Sequence, residues 1–464
     1  MLGDDILFLP VTELSKRIRA RQISPVDLAQ SYLERSRSIG SKLNAYITLT
    51  PDLAMQQAHA AEKEIAAGRY LGPLHGIPYA AKDLLAVKGY PTTWGARPHA
   101  DQRFDSDAAV IRKLNSAGAV LIGKAAMIEL AGGMGYRYAT ASLTGATKNP
   151  WNTDYWTCGS SSGSGAIMGA GLAAFALGTE TWGSIICPSG FCGVSGLRPT
   201  FGRVGRSGAM ALAYSLDKIG PICRTAADCD LVLKAISGND PEDAGSLPEA
   251  QARYTGATTL GALRLGWISN AWKEISPDVN GPVTAARKVL ESLVSVKEVS
   301  LPDGPWEAAT GTIVSVEGAT AFRTLIQSGK VSELSDPLGR IGGYINEEIS
   351  ASDFMLAERI RGILCKKMEE LFNNVDVLVT ATLPVTANRL DANLDTSLSF
   401  ADPVGGIGNA CGLPAITVPC GFGNNGLPVG IQFLGRTLDD GKILQAARLF
   451  QSHTDWHTRH PKLS

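Results

Sequence analysis

The sequence predicts an α/β protein with a mixed or mainly parallel sheet, and three observations carry that prediction. Amphipathic stretches with helical apolar spacing alternate with short apolar runs bounded by Gly or Pro. Hydrophobic residues make up 44% of the chain and charged residues 19%, as in a globular enzyme with a large core. The 51 glycines are interleaved with apolar residues throughout, which points to tight turns and close backbone approaches rather than disorder.

Taken in order, Ser24-Pro25 reads as an N-cap followed by proline at the first helical position, with helical apolar spacing over 26–35. Similar amphipathic patterns occupy 107–117 and 226–236. The runs 77–81, 119–122 and 375–380 have the composition of strands. The longest apolar stretch, roughly 166–178, is too short and Gly-rich to span a bilayer and reads as a buried helix. From about 239 to 300 the chain is less Gly-dense. The stretch 300–370 is helical in pattern and carries Trp306, Phe322, Tyr344 and Phe354. Together 240–370 is expected to form a variable helical segment over the substrate pocket. Residues 401–436 return to Gly/Pro-rich turns with apolar strands. The length of 464 residues suits one large domain or two to three ordinary ones.

The bulk numbers give no sign of nucleic-acid or membrane partners, though a locally basic patch is compatible with them. A net charge of −1 advertises neither nucleic-acid binding nor an acidic solvating tail. The opening MLGDDILFLP carries two acids and no basic region, unlike a signal peptide, so a cytoplasmic protein with no membrane partner is expected. None of the eight cysteines forms a CxxC pair, and most sit in apolar or Gly-rich runs. Buried free thiols, without disulfides, are the expectation.

The unusual part is 157–200. Two Ser/Gly clusters, Cys158-Gly159-Ser160-Ser161-Ser162-Gly163 and Thr179-Glu180-Thr181-Trp182-Gly183-Ser184, flank one apolar helix, and both reach one cleft only if the chain loops back after it. Gly-rich loops leave backbone N–H groups bare, ready for a phosphate or a developing oxyanion. No dinucleotide fingerprint or P-loop pattern is present. Gly159-Ser160-Ser161-Ser162-Gly163 fits GxSxG centred on Ser161, but it follows what reads as a turn, 148–154, rather than a buried strand. That arrangement would also need a histidine. Of the six, His453, His457 and His460 fall in a polar tail, and no carboxylate or Cys cluster makes a metal site with them.

The stretch resembles the amidase signature, in which a Gly-Gly-Ser-Ser-Gly-Gly loop precedes an apolar helix and Gly-Thr-Asp-Thr-Gly-Gly-Ser-Ile-Arg. Ser160 and Ser184 stand at the family's spacing between bridging and nucleophilic serines. Gly76-Ile77-Pro78-Tyr79-Ala80-Ala81-Lys82-Asp83 is similar to the family's Gly-Ile-Pro-x-x-x-Lys-Asp. Phe191-Cys192-Gly193, Gly196-Leu197-Arg198-Pro199-Thr200, Gly412-Leu413-Pro414-Ala415-Ile416 and Gly426-Leu427-Pro428-Val429-Gly430-Ile431-Gln432 match as well. The resemblance covers most of 10–240 and 370–450.

It implies a single α/β/α domain over 1–464, a central mixed sheet covered by helices, and a signature core at 72–236. It further implies Ser184 as nucleophile, Ser160 as bridging serine after a cis Gly159–Ser160 peptide, and Lys82 as base. Thr179 and Ser161 match positions that hydrogen-bond near the lysine. The oxyanion hole would be backbone N–H groups of Thr181, Trp182, Gly183 and Ser184. The chemistry is consistent: a serine hydroxyl needs a base near neutral pH, and a lysine serves only if burial keeps it neutral. Ala80, Ala81, Leu84 and Leu85 supply apolar neighbours, and Asp83 would oppose that neutrality if close.

Three residues depart from the family pattern: Trp182 and Ser162 stand at glycines, and Ile186 stands at the arginine that can pair with the acid here at Glu180. Glu180 therefore needs another partner or solvent, and Trp182 is placed to narrow or line the site. The expected activity is hydrolysis of a small, largely apolar amide, anilide or carbamate, with esters as further substrates. The other reading is the glutamine-hydrolysing component of a tRNA-dependent amidotransferase, which Gly123-Lys124 and Lys148-Asn149-Pro150-Trp151-Asn152 resemble. A binding module without activity would lack a triad member, and none is missing. The aromatic-rich 127–156 reads either as core or as the wall of a pocket for a hydrophobic or aryl substrate, through Met134, Gly135 and Tyr136 with Trp182. No metal or organic cofactor is implied, and a monomer or homodimer is expected.

Overall fold

The computed structural model describes residues 2–257 and 263–463. Its centre is an eleven-stranded mixed sheet surrounded by helices, as the alternating pattern predicts. The sheet strands are β1 (Tyr46–Leu49), β2 (Pro78–Lys82), β3 (Val120–Ala125), β6 (Phe175–Glu180), β7 (Ser195–Arg198), β8 (Lys218–Cys223), β9 (Arg264–Ile268), β10 (Ser295–Val299), β11 (Val377–Ala381), β12 (Ala415–Phe422) and β13 (Pro428–Gly435). Their order is β1-β3-β2-β6-β8-β7-β12-β13-β11-β9-β10. β2 runs parallel to both β3 and β6, and β9 parallel to β10 and β11, while the other neighbours are antiparallel. A separate hairpin pairs β4 (Lys148–Asn149) with β5 (Asn152–Trp156).

The central strands are buried from end to end, every residue of β2, β3, β6, β7 and β8 included. That is why their sequences read as continuous apolar or small-residue runs rather than as alternating ones. The predicted N-cap holds, with the Ser24 hydroxyl accepting from the Val26 and Asp27 amides and Pro25 opening the helix Pro25–Arg35. The helices Ala109–Ser116 and Ala226–Ile236 lie where amphipathic spacing puts them.

Three expectations change. The apolar stretch 166–178 is not one helix. The helix Ser162–Gly169 stops at Ala170, Gly171 takes a left-handed φ of +63°, and the chain returns as β6. Small apolar residues suit either element, and the left-handed glycine ends the helix. The stretch 148–154 is the β4–β5 hairpin rather than a simple turn. The segment 240–370 is not helical throughout, because β9 and β10 lie in it and extend the sheet beside β11. Ser295, Lys297 and Glu298 of β10 are exposed, which hides the strand from an apolar-run criterion.

Candidate active site

The site forms at the carboxyl ends of the parallel pair β2 and β6, where open α/β sheets present their crevices. Lys82 closes β2 and Thr179 nears the end of β6. The turn after Gly171 folds β6 back against the helix Ser162–Gly169, so the two Ser/Gly clusters meet. Gly163 lets the start of that helix pack on the end of β3, since a Cβ there would meet the Ala126 nitrogen at 2.3 Å and the Ala45 carbonyl at 2.4 Å. The Ser161 amide donates to the Ser184 carbonyl at 3.4 Å, joining the loops directly.

Lys82 is fully buried, and its Nζ donates to Ser160 Oγ at 2.8 Å and Thr179 Oγ1 at 2.9 Å. Burial lowers its pKa to about 7, against the opposing pull of Asp217 and Glu180. Asp83 does not oppose this, because it is spent elsewhere: it pairs with buried Lys124 at 2.8 Å and accepts from the Thr93 amide at 2.9 Å. The Gly159–Ser160 peptide is cis. Ser161 Oγ bonds both the amide and the carbonyl of Thr179 at 3.2 Å, clamping β6 to the serine loop. A serine hydroxyl held by a lysine near neutrality can pass a proton in either direction.

The second loop is built for exposed amides. Gly183 has φ of +78°, a conformation that suits glycine. Trp182 keeps an ordinary negative φ, so its side chain is accommodated where the family has glycine. Among the described residues, no protein acceptor takes the N–H of Trp182, Gly183 or Ser184. Thr181 is anchored through its hydroxyl, which donates to the partly buried carboxylate of Asp217.

Glu180 has found other partners in place of the missing arginine. Its carboxylate accepts from the Ile185 and Ile186 amides at 2.8 and 3.0 Å, from Arg198 Nη1 at 2.6 Å and from Asn409 Nδ2 at 3.1 Å. Burial alone would raise its pKa, but Arg198, the Ile186 amide and Lys218 outweigh that and hold it at about 2. Ser162 is also absorbed, its hydroxyl lying 3.2 Å from that of Thr147. Sequence patterns do not single out Asp217, Asp402 or Asn409. Arg198 alone carries a signal, since it sits inside Gly196-Leu197-Arg198-Pro199-Thr200.

A cavity of about 310 Å³ opens beside the site, with Thr179, Thr181 and Asp217 on its polar wall and Leu84, Met210, Leu212 and Ile219 on its apolar wall. Met134, Gly135, Tyr136 and Trp182 do not line it. Gly342 packs on the Met134 carbonyl, Leu338 covers Gly135, and Tyr136 stands edge-on to Trp156. Trp182 turns its indole N–H to Asp402 at 2.9 Å. Tyr136 and Trp156 thus pack on each other rather than on this cavity. Among the described residues, no cluster of His, Cys, Asp or Glu could hold a metal ion, and no helix is long and apolar enough to cross a membrane.

One cysteine expectation is overturned. Cys158 and Cys187 form a disulfide, with Cα atoms 5.9 Å apart and a sequence separation of 29. The return of the chain through β6 creates this proximity, which no local spacing announces. The other six cysteines are free thiols.

The Amidase family profile matches residues 27–444. The A component of the glutamyl-tRNA(Gln) amidotransferase of Chloroflexus aggregans is 34% identical over 488 residues, spanning 99% of each chain. The peptide amidase from Stenotrophomonas maltophilia superposes with a TM-score of 0.84 at 28% identity, over 98% of this chain and 97% of that one. A structure described in connection with the evolutionary origins of an s-triazine catabolic enzyme gives 0.88 at 27% identity, over 96% and 98%. With its signature motifs, its sheet and the full-length match in agreement, the chain belongs to the amidase signature family of enzymes acting on C–N amide bonds.

Proposed function

We propose that this enzyme is a stand-alone hydrolase of small, largely apolar amides or carbamates, with an acyl-enzyme on Ser184. The observation that carries the catalytic part is the contact of buried Lys82 with Ser160 at 2.8 Å, with the lysine held near neutrality. Neutral Lys82 takes a proton from Ser160 as Ser160 takes one from Ser184, and Ser184 Oγ attacks the carbonyl carbon. The amides of the 181–184 loop receive the oxyanion. The proton returns through Ser160 to the leaving nitrogen, and water then releases the acyl group by the same relay.

The substrate class rests on the cavity, whose wall of Leu84, Met210, Leu212 and Ile219 suits an apolar group, with Arg206, Asp217, Lys218, Glu242 and Asp243 also on its lining. A second reading has one specific support: the 34% identical relative is the A component of a glutamyl-tRNA(Gln) amidotransferase. Under that reading the substrate is glutamine and a partner protein is required. The first reading is favoured by Trp182 and Ile186, which stand where the signature pattern has glycine and arginine.

The test is turnover of p-nitroanilides, aryl carbamates, p-nitrophenyl esters and glutamine by the wild type and by Ser184→Ala. Turnover of the synthetic panel that disappears in Ser184→Ala is the expected result. Activity on glutamine alone establishes the second reading, and turnover that survives in Ser184→Ala removes the nucleophile assignment.

A further inference from the structure

We propose that the Cys158–Cys187 disulfide is a positioning crosslink for the two serines, and that its reduction lowers turnover in protein that stays folded. The proposal rests on reading Ser160 and Ser184 as the catalytic pair. Cys158 lies two residues before Ser160, and Cys187 three residues after Ser184. The bond therefore ties the loop that aims one hydroxyl to the helix Ile186–Cys192, which follows the other.

Two features beyond proximity support this role. Cys158 has φ of +64°, a region that side chains rarely adopt and that a glycine would occupy freely. The strained backbone at Cys158 is thus tolerated with the side chain engaged in the crosslink. The second feature is the packing. Cys158 and Cys187 belong to a small apolar cluster with Ile128, Trp156, Phe191 and Leu427 that is separate from the main core. Gly159 fits tightly in it, since a Cβ there would meet Ile128 at 2.6 Å and Trp156 at 3.1 Å, whereas nothing lies within 4 Å of a Cβ at Gly183. The serine loop at Gly159 is thus fixed by packing, and the disulfide joins it to the helix that follows Ser184.

Opening the bond breaks S–S and leaves a thiol on each cysteine. The two hydrogens come from a dithiol reductant, which itself becomes a disulfide. The other six cysteines are thiols, and Cys365 lies beside Cys411, so peptide mapping must show that only the 158–187 link changes between the two forms. In a reducing environment the enzyme would stand in its slower form and in an oxidising one in its faster form.

The experiment takes the full-length enzyme oxidised, treated with dithiothreitol, and re-oxidised. Non-reducing peptide mapping reports the 158–187 link, circular dichroism reports folding, and kcat and KM are measured on p-nitroacetanilide. The expected result is a kcat lower by about tenfold to a hundredfold in the reduced form, with KM within about twofold and recovery on re-oxidation. Cys158→Ser and Cys187→Ser should match the reduced wild type, and if either fails to fold, the reduced wild type alone decides. An unchanged kcat in folded, reduced enzyme overturns the proposal, as does a fully active enzyme whose Cys158 and Cys187 map as free thiols. A purely structural bond would lower thermal stability and leave kcat intact. Turnover that persists in Ser184→Ala would instead overturn the catalytic reading beneath the proposal, a result distinct from insensitivity to reduction.

Discussion

Trp182 and Asp402, 220 positions apart in the chain, are joined by a hydrogen bond of 2.9 Å from the indole Nε1 to the carboxylate. Asp402 also caps the helix Pro403–Ala410 by accepting from the Gly405 amide at 2.8 Å. Burial raises the Asp402 pKa, and the indole N–H is one of the groups that opposes the rise. The loop carrying the candidate oxyanion donors thus hangs from a helix cap in a distant part of the sequence. Trp182→Phe keeps an aromatic ring and removes the donor. Because Trp182 is only partly buried, the expected loss is about 1 kcal/mol of stability, read from urea unfolding.

Activity should follow the protonation of Lys82. The base must be neutral, and burial sets its pKa at about 7, so kcat/KM should rise with pH through neutrality and level off above it. Lys82→Met should lower kcat by about 10²-fold to 10⁴-fold without loss of circular-dichroism signal. The linkage to stability has a definite sign. Between about 7 and the ordinary lysine value of 10.5, the unfolded chain holds a proton here that the folded chain does not, so this group's contribution to stability rises with pH in that window. A kcat/KM profile flat from pH 5 to 9 would count against Lys82 as the base.

Glu180 is a structural anion at the root of the second loop. Glu180→Gln leaves the Arg198 guanidinium buried without its countercharge and weakens the hold on the Ile185 and Ile186 amides. The expected cost is about 3 to 5 kcal/mol in chemical denaturation. The folded carboxyl titrates at about 2, below its ordinary value of 4.5. Its contribution to stability is therefore complete above the ordinary value and is lost as the pH falls from there through about 2.

Gly183→Ala isolates backbone geometry from packing. No atom lies within 4 Å of the added Cβ, so any effect comes from the φ of +78°. A stability loss of about 1 to 2 kcal/mol is expected. If the chain relaxes by turning an oxyanion donor away, kcat should drop by about 10²-fold with KM little changed. Steady-state kinetics on a p-nitroanilide would show the split.

Much of the candidate site is legible in the sequence because its residues lie in contiguous motifs. Lys82 follows Gly76-Ile77-Pro78, and Ser160 and Ser184 each sit in a Ser/Gly loop, so a single reading along the chain reaches all three. The structure brings Lys82 to Ser160 and the Ser161 amide to the Ser184 carbonyl. Helix boundaries are less legible. An apolar run of Ala, Gly and Leu suits a helix and a buried strand alike, so 166–178 reads as one element where the chain makes a helix, a left-handed glycine and β6. The pocket wall is obscure for a related reason: Tyr136 packs on Trp156, and aromatic density alone does not distinguish a packed face from a cavity face.

By itself, the sequence determined the α/β class, the Ser24 cap, the strand runs and the motifs that hold the candidate residues, because each depends on neighbours within a few positions. The tertiary structure decided who pairs with whom. Glu180 meets Arg198 across the sheet, Trp182 reaches Asp402, and Cys158 bonds Cys187. Hydrogen bonds, ion pairs and disulfides act over a few ångströms, and only the folded path of the chain brings such distant positions that close.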